Sequence, residues 1–276
     1  MTETSITPVA GAQRIQAAFD RAKAEDRAAL IVYLTSCFPN REVSAACFEA
    51  AVDAGADVLE IGVPFSDPMM DGPIIQAANQ QVLDAGVRVA DHLELIRSLD
   101  HLEVPKLIMT YVTIADTRGY ASFADECAEA GLSGIILPDL PVPEADAWRR
   151  EAGRAGLATV FLASSVSTDE RLDAIGAASQ GWVYAVGLLG VTGGAKGVAQ
   201  DVTRELVERV RPRTQVPVAV GIGVKDRASA AEVAAYADGV IVGSSVVKAA
   251  AEGDPAGAPH RVADLVRELR AGVQRA

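Results

Sequence analysis

Val58-Leu59-Glu60-Ile61-Gly62-Val63-Pro64-Phe65-Ser66-Asp67-Pro68-Met69-Met70-Asp71-Gly72-Pro73 is the stretch that organises the chain. Its first six residues read as a short buried strand, aliphatic and β-branched, ended by Pro64. Side chains alternate across a strand, so Leu59, Ile61 and Val63 share one face and Glu60 and Gly62 the other. Three large aliphatics suit a face covered by helices, which leaves Glu60 pointing into whatever the sheet encloses. A carboxylate buried without partners is costly, so an acid there needs a reason. A Pro-bounded polar loop carrying Asp67 and Asp71 follows, and Gly72-Pro73 opens a helix through Ile74, Ile75, Ala78 and Val82. One strand-to-helix connection thus supplies an acid at the strand end and two on its loop. Glu60 as half of a structural ion pair is the plain alternative, but no basic residue lies near it in sequence. For Asp67, in a Ser-Asp-Pro turn, a turn-forming role is the better reading.

The same pattern repeats outward in both directions. Short aliphatic runs at 30–35, 58–63, 106–111, 134–137, 158–163, 182–186, 216–220 and 239–242 are each followed by a turn and a helical pattern. The helical patterns include 42–54, 90–99, 123–130, 143–155, 169–178, 203–211 and 229–237. Strands alternating with helices imply parallel βαβ units, and eight of them in one chain predict a single closed (β/α)8 TIM barrel over residues 1–276. An open doubly wound sheet is the alternative; eight regular units with no second domain favour closure. An extra amphipathic helix at 13–25 precedes the first strand, after a flexible tail over about residues 1–10. Gly55, Gly86, Gly131 and Gly156 stand where helix C-caps belong.

Composition narrows the function. The chain has 276 residues, half of them hydrophobic (50%), enough for one barrel or two small domains. A net charge of −12 argues against nucleic acid or an anionic membrane as partner. No run is long enough to span a bilayer, and the polar, acidic start shows no secretory pattern, so a cytoplasmic protein is expected. Cys37, Cys47 and Cys127 fit reduced thiols, and His92, His101 and His260 form no metal-like cluster, so no metal centre is expected.

The last three strands end in glycines: 187–197 holds five, Gly221-Ile222-Gly223 follows strand seven, and Gly243-Ser244-Ser245 opens a helix after strand eight. Glycine lets backbone N–H groups approach an anion, and a helix N-terminus adds its positive dipole end. In such barrels the turns after strands seven and eight often hold a phosphate. The long strand-six loop suits either a mobile lid or a plain connection. Acids facing a phosphate cradle point to acid–base chemistry on a phosphorylated substrate with an apolar group.

The run 60–68 with Asp71-Gly72-Pro73, Tyr184, Gly190-Val191-Thr192-Gly193, Gly221-Ile222-Gly223 and Gly243-Ser244 resembles the tryptophan synthase alpha chain family over essentially the whole chain. The resemblance implies retro-aldol cleavage of indole-3-glycerol phosphate to indole and glyceraldehyde 3-phosphate, in tryptophan biosynthesis and with no cofactor in this subunit. It implies Glu60 as the proton donor and acceptor and Asp71 as the group holding the ring N–H. It implies phosphate binding by Gly193, Gly223, Gly243 and Ser244, a lid that includes Thr192, and an indole pocket of Tyr33, Ile75, Ile108, Ile136, Tyr184 and Ile222. For the pocket aliphatics ordinary barrel packing is an equal reading. It also implies a beta chain partner carrying pyridoxal phosphate in an α2β2 complex, facing the loops at 64–68 and 138–141. The sequence departs from the family at Cys37, where glycine is usual, at Ser164-Ser165-Val166, where Ala-Pro-Thr is frequent, and at Gly187-Leu188, where Ser or Thr and often Arg precede Gly-Val-Thr-Gly. These departures bear on lid closure and partner coupling. A stand-alone indole-3-glycerol phosphate lyase, a catalytically inactive activating subunit and a phosphosugar isomerase are the competing readings. Retention of Glu60 and Asp71 weighs against the inactive subunit, and the whole-chain match against the isomerase.

Overall fold

The aliphatic runs become eight parallel strands, β1 (Ala29–Thr35), β2 (Val58–Gly62), β3 (Lys106–Met109), β4 (Gly134–Ile136), β5 (Ala158–Ser164), β6 (Val183–Val186), β7 (Val218–Val220) and β8 (Gly239–Val242). They hydrogen-bond in sequence order and close through β8 onto β1. The structure is a computed structural model that describes residues 8–187, 196–221 and 223–275, with backbone alone over 196–200. Around the barrel lie α1 (Ala10–Ala24), α2 (Arg41–Asp53), α3 (Pro73–Asp84), α4 (Val89–Ser98), α5 (Val112–Arg118), α6 (Tyr120–Glu129), α7 (Asp146–Arg154), α8 (Asp169–Ala178), α9 (Lys196–Val210), α10 (Arg227–Ala234), α11 (Ser244–Ala251) and α12 (Ala258–Gly272). The (β/α)8 architecture read from the sequence is the one observed.

Alternation along the strands sorts the core into two layers. Leu59, Ile61 and Val63 point outward with Val32, Ile108, Ile135, Phe161 and Val240 and pack under the helices. Ile31, Val58, Leu107, Ile136, Val160, Ala219 and Ile241 point inward and fill the barrel. Such close-packed layers make the barrel a core and not a pore. Helix α1 closes the N-terminal end, where Ile15, Ala18 and Phe19 join the inner layer and Phe19 lies 6.1 Å from Trp182, centroid to centroid. Arg27 and Asp57 staple the first two strands at this end through two bonds of 2.5 and 2.8 Å, and Asp57 also accepts from the Leu30 N–H at 2.8 Å.

The largest differences from the sequence expectation are at three helices. Helix α1 starts at Ala10, so the end of the expected tail is helical; the Gly11 N–H donates to the Gly156 carbonyl at 2.9 Å and ties that turn to the barrel. Helix α9 starts at Lys196 and runs through Gly197, a residue that a helix tolerates at modest cost. Helix α5 was absent from the sequence reading: it has only seven residues, and its Val112 N–H is capped by the Asp139 carboxylate (2.9 and 3.2 Å), 27 residues away. The glycines expected after α2, α3, α6 and α7 all take positive φ there. Cys37, in the loop after β1, takes φ 63, the left-handed conformation that explains why a glycine suits this position.

Candidate active site

The C-terminal ends of the strands surround a cavity of about 850 Å³. Glu60 reaches it from β2, in register with Tyr33 on β1 and Leu107 on β3. Glu60 is fully buried, and neither carboxylate oxygen has a hydrogen-bond partner among the described residues. Removal from water with nothing to offset it pushes its pKa up to about 8. A carboxyl poised there holds a proton near neutral pH and can still release it. The ion-pair alternative for Glu60 has no support: no cation lies against it among the described residues.

Asp71 enters the same cavity from the loop after β2. Burial raises its pKa to about 6, against the opposing effect of hydrogen bonds with Asn79 and Tyr111. The loop is fixed at several points. The Met70 N–H donates to the Tyr111 hydroxyl (3.0 Å), Gln76 Nε2 to the Asp71 carbonyl (2.8 Å) and Asn79 Nδ2 to Asp71 Oδ2 (3.0 Å). Phe65 stacks on Tyr111 at 5.2 Å. Asp67 bonds its neighbour Ser66 at 2.7 Å and is exposed, consistent with a turn former.

Two tyrosines stand in the barrel mouth, each seated on a glycine. A Cβ at Gly62 would collide with the Tyr33 ring and hydroxyl, and one at Gly221 with those of Tyr184. Glycine at these strand ends is therefore what admits the phenols beside Glu60. Burial raises the pKa of both hydroxyls, with the charge of Asp71 adding to the rise for Tyr33 and that of Glu60 for Tyr184, so both remain neutral donors.

Across the cavity lie Gly223, Gly243 and Ser244. Gly223 has φ 65, while Gly243 precedes α11, whose N-terminus begins at Ser244 beside the cavity. Ser245 Oγ donates to the Val224 carbonyl at 3.0 Å and ties the β7 and β8 turns together. Exposed amides at a helix N-terminus, beside glycines that leave room for close approach, are the arrangement that suits an anion such as phosphate. Lys225 and Lys248 line the same wall, an attraction for anions that the glycine pattern did not disclose.

Of the expected apolar pocket, Tyr33, Ile75 and Tyr184 line the cavity. Ile108 does not: it pairs with outward-facing Ile61 and lies in the outer layer, so the next residue, Met109, faces the cavity in its place. Ile136 points inward beside Met109 but is packed in the inner core and does not line the cavity. Thr192, Gly193 and Ile222 lie outside the described residues. Asn79 was also missed; a polar residue at a buried helical position was its only sequence signal.

The cradle can be tested alone. A Cβ at Gly243 meets Tyr33 and Ile75 only at ordinary contact distances of 3.4–3.6 Å, so the backbone tolerates a side chain there. The extra methyls of Gly243→Val should crowd the N-terminus of α11 and, if this wall holds an anion, weaken inorganic phosphate binding by at least ~10-fold, or about 1.4 kcal/mol. Calorimetric titration checks this, with circular dichroism to show an intact barrel. Gly223→Val is the less clean variant, because φ 65 strains any side chain.

Fold and site together define a (β/α)8 barrel with a cavity at the C-terminal ends of its strands, where two acids face a wall of glycines and the N-terminus of α11. The sequence profile of the tryptophan synthase alpha chain family matches residues 19–274. A tryptophan synthase alpha chain of Streptomyces avermitilis is 47% identical over 255 residues, 92% of either chain. One of Mycobacterium tuberculosis is 43% identical over 263 residues, 95% of either chain. Among solved structures, tryptophan synthase of M. tuberculosis superposes with a TM-score of 0.88 at 42% identity, covering 95% of this chain and 99% of that one. The tryptophan synthase subunit alpha of Legionella pneumophila gives 0.85 at 32% identity, covering 94% and 98%. The chain belongs to the tryptophan synthase alpha chain family.

Proposed function

We propose that this chain is a lyase that cleaves indole-3-glycerol phosphate to indole and glyceraldehyde 3-phosphate. The observation that carries the proposal is Glu60, a fully buried and unpartnered acid facing a cavity whose opposite wall holds Gly223, Gly243 and the N-terminus of α11. With the phosphate on Gly223, Gly243 and Ser244, the indole ring lies between the cradle and the acids, against Ile75, Met109 and the two tyrosines. Protonated Glu60 gives its proton to indole C3, and the ring becomes a cationic indolenine. Ionised Asp71 accepts the hydrogen bond of the ring N–H and stabilises that charge. The Glu60 carboxylate then takes the proton of the hydroxyl on the adjoining carbon. The C3–carbon bond breaks, its electron pair restores the aromatic indole, and the aldehyde is released. Glu60 ends protonated, as it began, and no cofactor is needed in this chain.

The reading includes a partner. A beta chain carrying pyridoxal phosphate would take up the indole, in an α2β2 complex and in the cytoplasm. Met69, 79% exposed on the Asp71 loop, and Val166, 81% exposed after β5, leave apolar surface on this rim for a partner to cover. Among the described residues no helix is long and apolar enough to cross a membrane. The purified chain should cleave indole-3-glycerol phosphate slowly, and adding a beta chain from the same source should raise turnover by at least ~10-fold. Stopped-time assays of indole release, with and without that chain, check both points. Full turnover alone, with no complex on gel filtration, would favour a stand-alone lyase; no cleavage in either arm would remove the proposal.

A further inference from the structure

Asn79 occupies an unusual position. It lies within α3, is only 3% exposed, and carries a side chain that is unfavourable both inside a helix and inside a core. A leucine would fill the same space at lower cost. What the amide does instead is bridge two elements. Its Oδ1 accepts from Thr35 Oγ1 at 3.3 Å, at the buried end of β1, and its Nδ2 donates to Asp71 Oδ2 at 3.0 Å. A chain of polar groups therefore runs behind the cavity wall from Thr35 through Asn79 to Asp71.

The direction of these bonds carries information. An ionised carboxylate only accepts, and an amide donates from nitrogen alone. With Thr35 donating to the amide oxygen, the NH2 group faces Asp71, an arrangement that suits its carboxylate. Were the amide reversed, its oxygen would face Asp71 Oδ2, and only a protonated Asp71 could satisfy it. We infer that Asn79, anchored by Thr35, is a positioning residue that keeps Asp71 ionised and turned into the cavity. The inference deepens the function proposed above and rests on that reading for the use made of the charge; the bridge itself is independent of it.

The surroundings make the effect readable. Tyr111 from the end of β3, Tyr33 from β1 and Tyr184 from β6 face Asp71, and Glu60 on β2, with Lys225 and Lys248 on the far wall, shares its cavity. The three phenols have raised pKa values, and Glu60 titrates only near 8. Of these groups Asp71, with a pKa raised only to about 6, is the first to lose its proton as pH rises; Glu252, Arg261 and Asp264 also line the cavity.

The test is the titration of the Asp71 carboxyl, followed by carbon NMR in the full-length chain, for the parent, Asn79→Ala, Asn79→Asp and Thr35→Val. A hydrogen bond to a charged group is worth about 1.5–3 kcal/mol, so Asn79→Ala should raise the Asp71 pKa by about one unit or more. Asn79→Asp, which keeps the shape and adds a like charge, should raise it further. Thr35→Val, which only frees the amide to turn, should raise it by less. The acid limb of the kcat/KM profile should move upward with it. An Asp71 pKa unchanged in folded Asn79→Ala and Asn79→Asp overturns the inference, and Thr35→Val decides it if those two do not fold. If the pKa moves as stated but the parent cleaves no indole-3-glycerol phosphate, the positioning role stands and the lyase reading falls.

Discussion

Glu60→Gln should abolish cleavage of indole-3-glycerol phosphate while leaving substrate binding nearly intact. An amide neither delivers a proton to C3 nor collects one from the hydroxyl. General acid–base groups contribute roughly 10²–10⁴-fold, and a residue serving both steps belongs at or beyond the top of that range. In the proposed mechanism the phosphate and the ring are held elsewhere, by Gly223, Gly243, Ser244 and Asp71, which line the same cavity. Single-turnover cleavage and equilibrium binding, measured side by side, separate the two effects. Wild-type cleavage by the variant, or outright unfolding of it, would show that Glu60 is structural.

The same substitution has a pH-dependent effect on stability, and its sign follows from the shift. The Glu60 carboxyl titrates near 8 in the fold against a reference value of 4.5. A group raised in this way favours the fold fully while both states are protonated, and that contribution is lost as pH rises from 4.5 toward 8. Glutamine has no such loss. Glu60→Gln should therefore match the parent in acid and exceed it in mild alkali, the gap growing by about 1.4 kcal/mol per pH unit within that window. Melting curves across the range check this. Activity of the parent should follow a bell, its acid limb near 6 set by the need for ionised Asp71 and its alkaline limb near 8 by loss of the Glu60 proton.

Asp71→Asn is expected to slow cleavage by roughly 10²–10³-fold, the usual cost of removing one electrostatic contact to a developing charge. The amide still offers an acceptor to the ring N–H, so binding should survive; what is lost is the negative charge opposite the cationic indolenine. The variant should also lose the acid limb near 6, because the titrating group is gone. A retained limb, or a loss confined to KM, would place Asp71 in ground-state binding alone. Stability should change little, since the new amide can present its oxygen to Asn79 Nδ2.

The chain's own sequence determined the barrel, the order of its units and the position of its acids. Each strand and helix is a local pattern: the run 58–63 is aliphatic in every neighbourhood, Gly72-Pro73 opens a helix wherever it stands, and glycines after helices take the φ they need. Parity also made Glu60 face inward, because only one face of β2 carried three large aliphatics. Elsewhere parity was mute. In β3, Leu107, Ile108 and Met109 are all apolar, so a period of two cannot say which enters the cavity; the register with Glu60 and Ile61 decided for Met109 over Ile108. The cap on α5 comes from Asp139, the hold on Asp71 from Asn79 and Thr35, and the room for Tyr184 from Gly221, each distant in the chain from what it serves. The pKa of Glu60 was likewise beyond the sequence. An acid is raised by the water it loses and the partners it lacks, and both are set by what closure of the barrel brings around it.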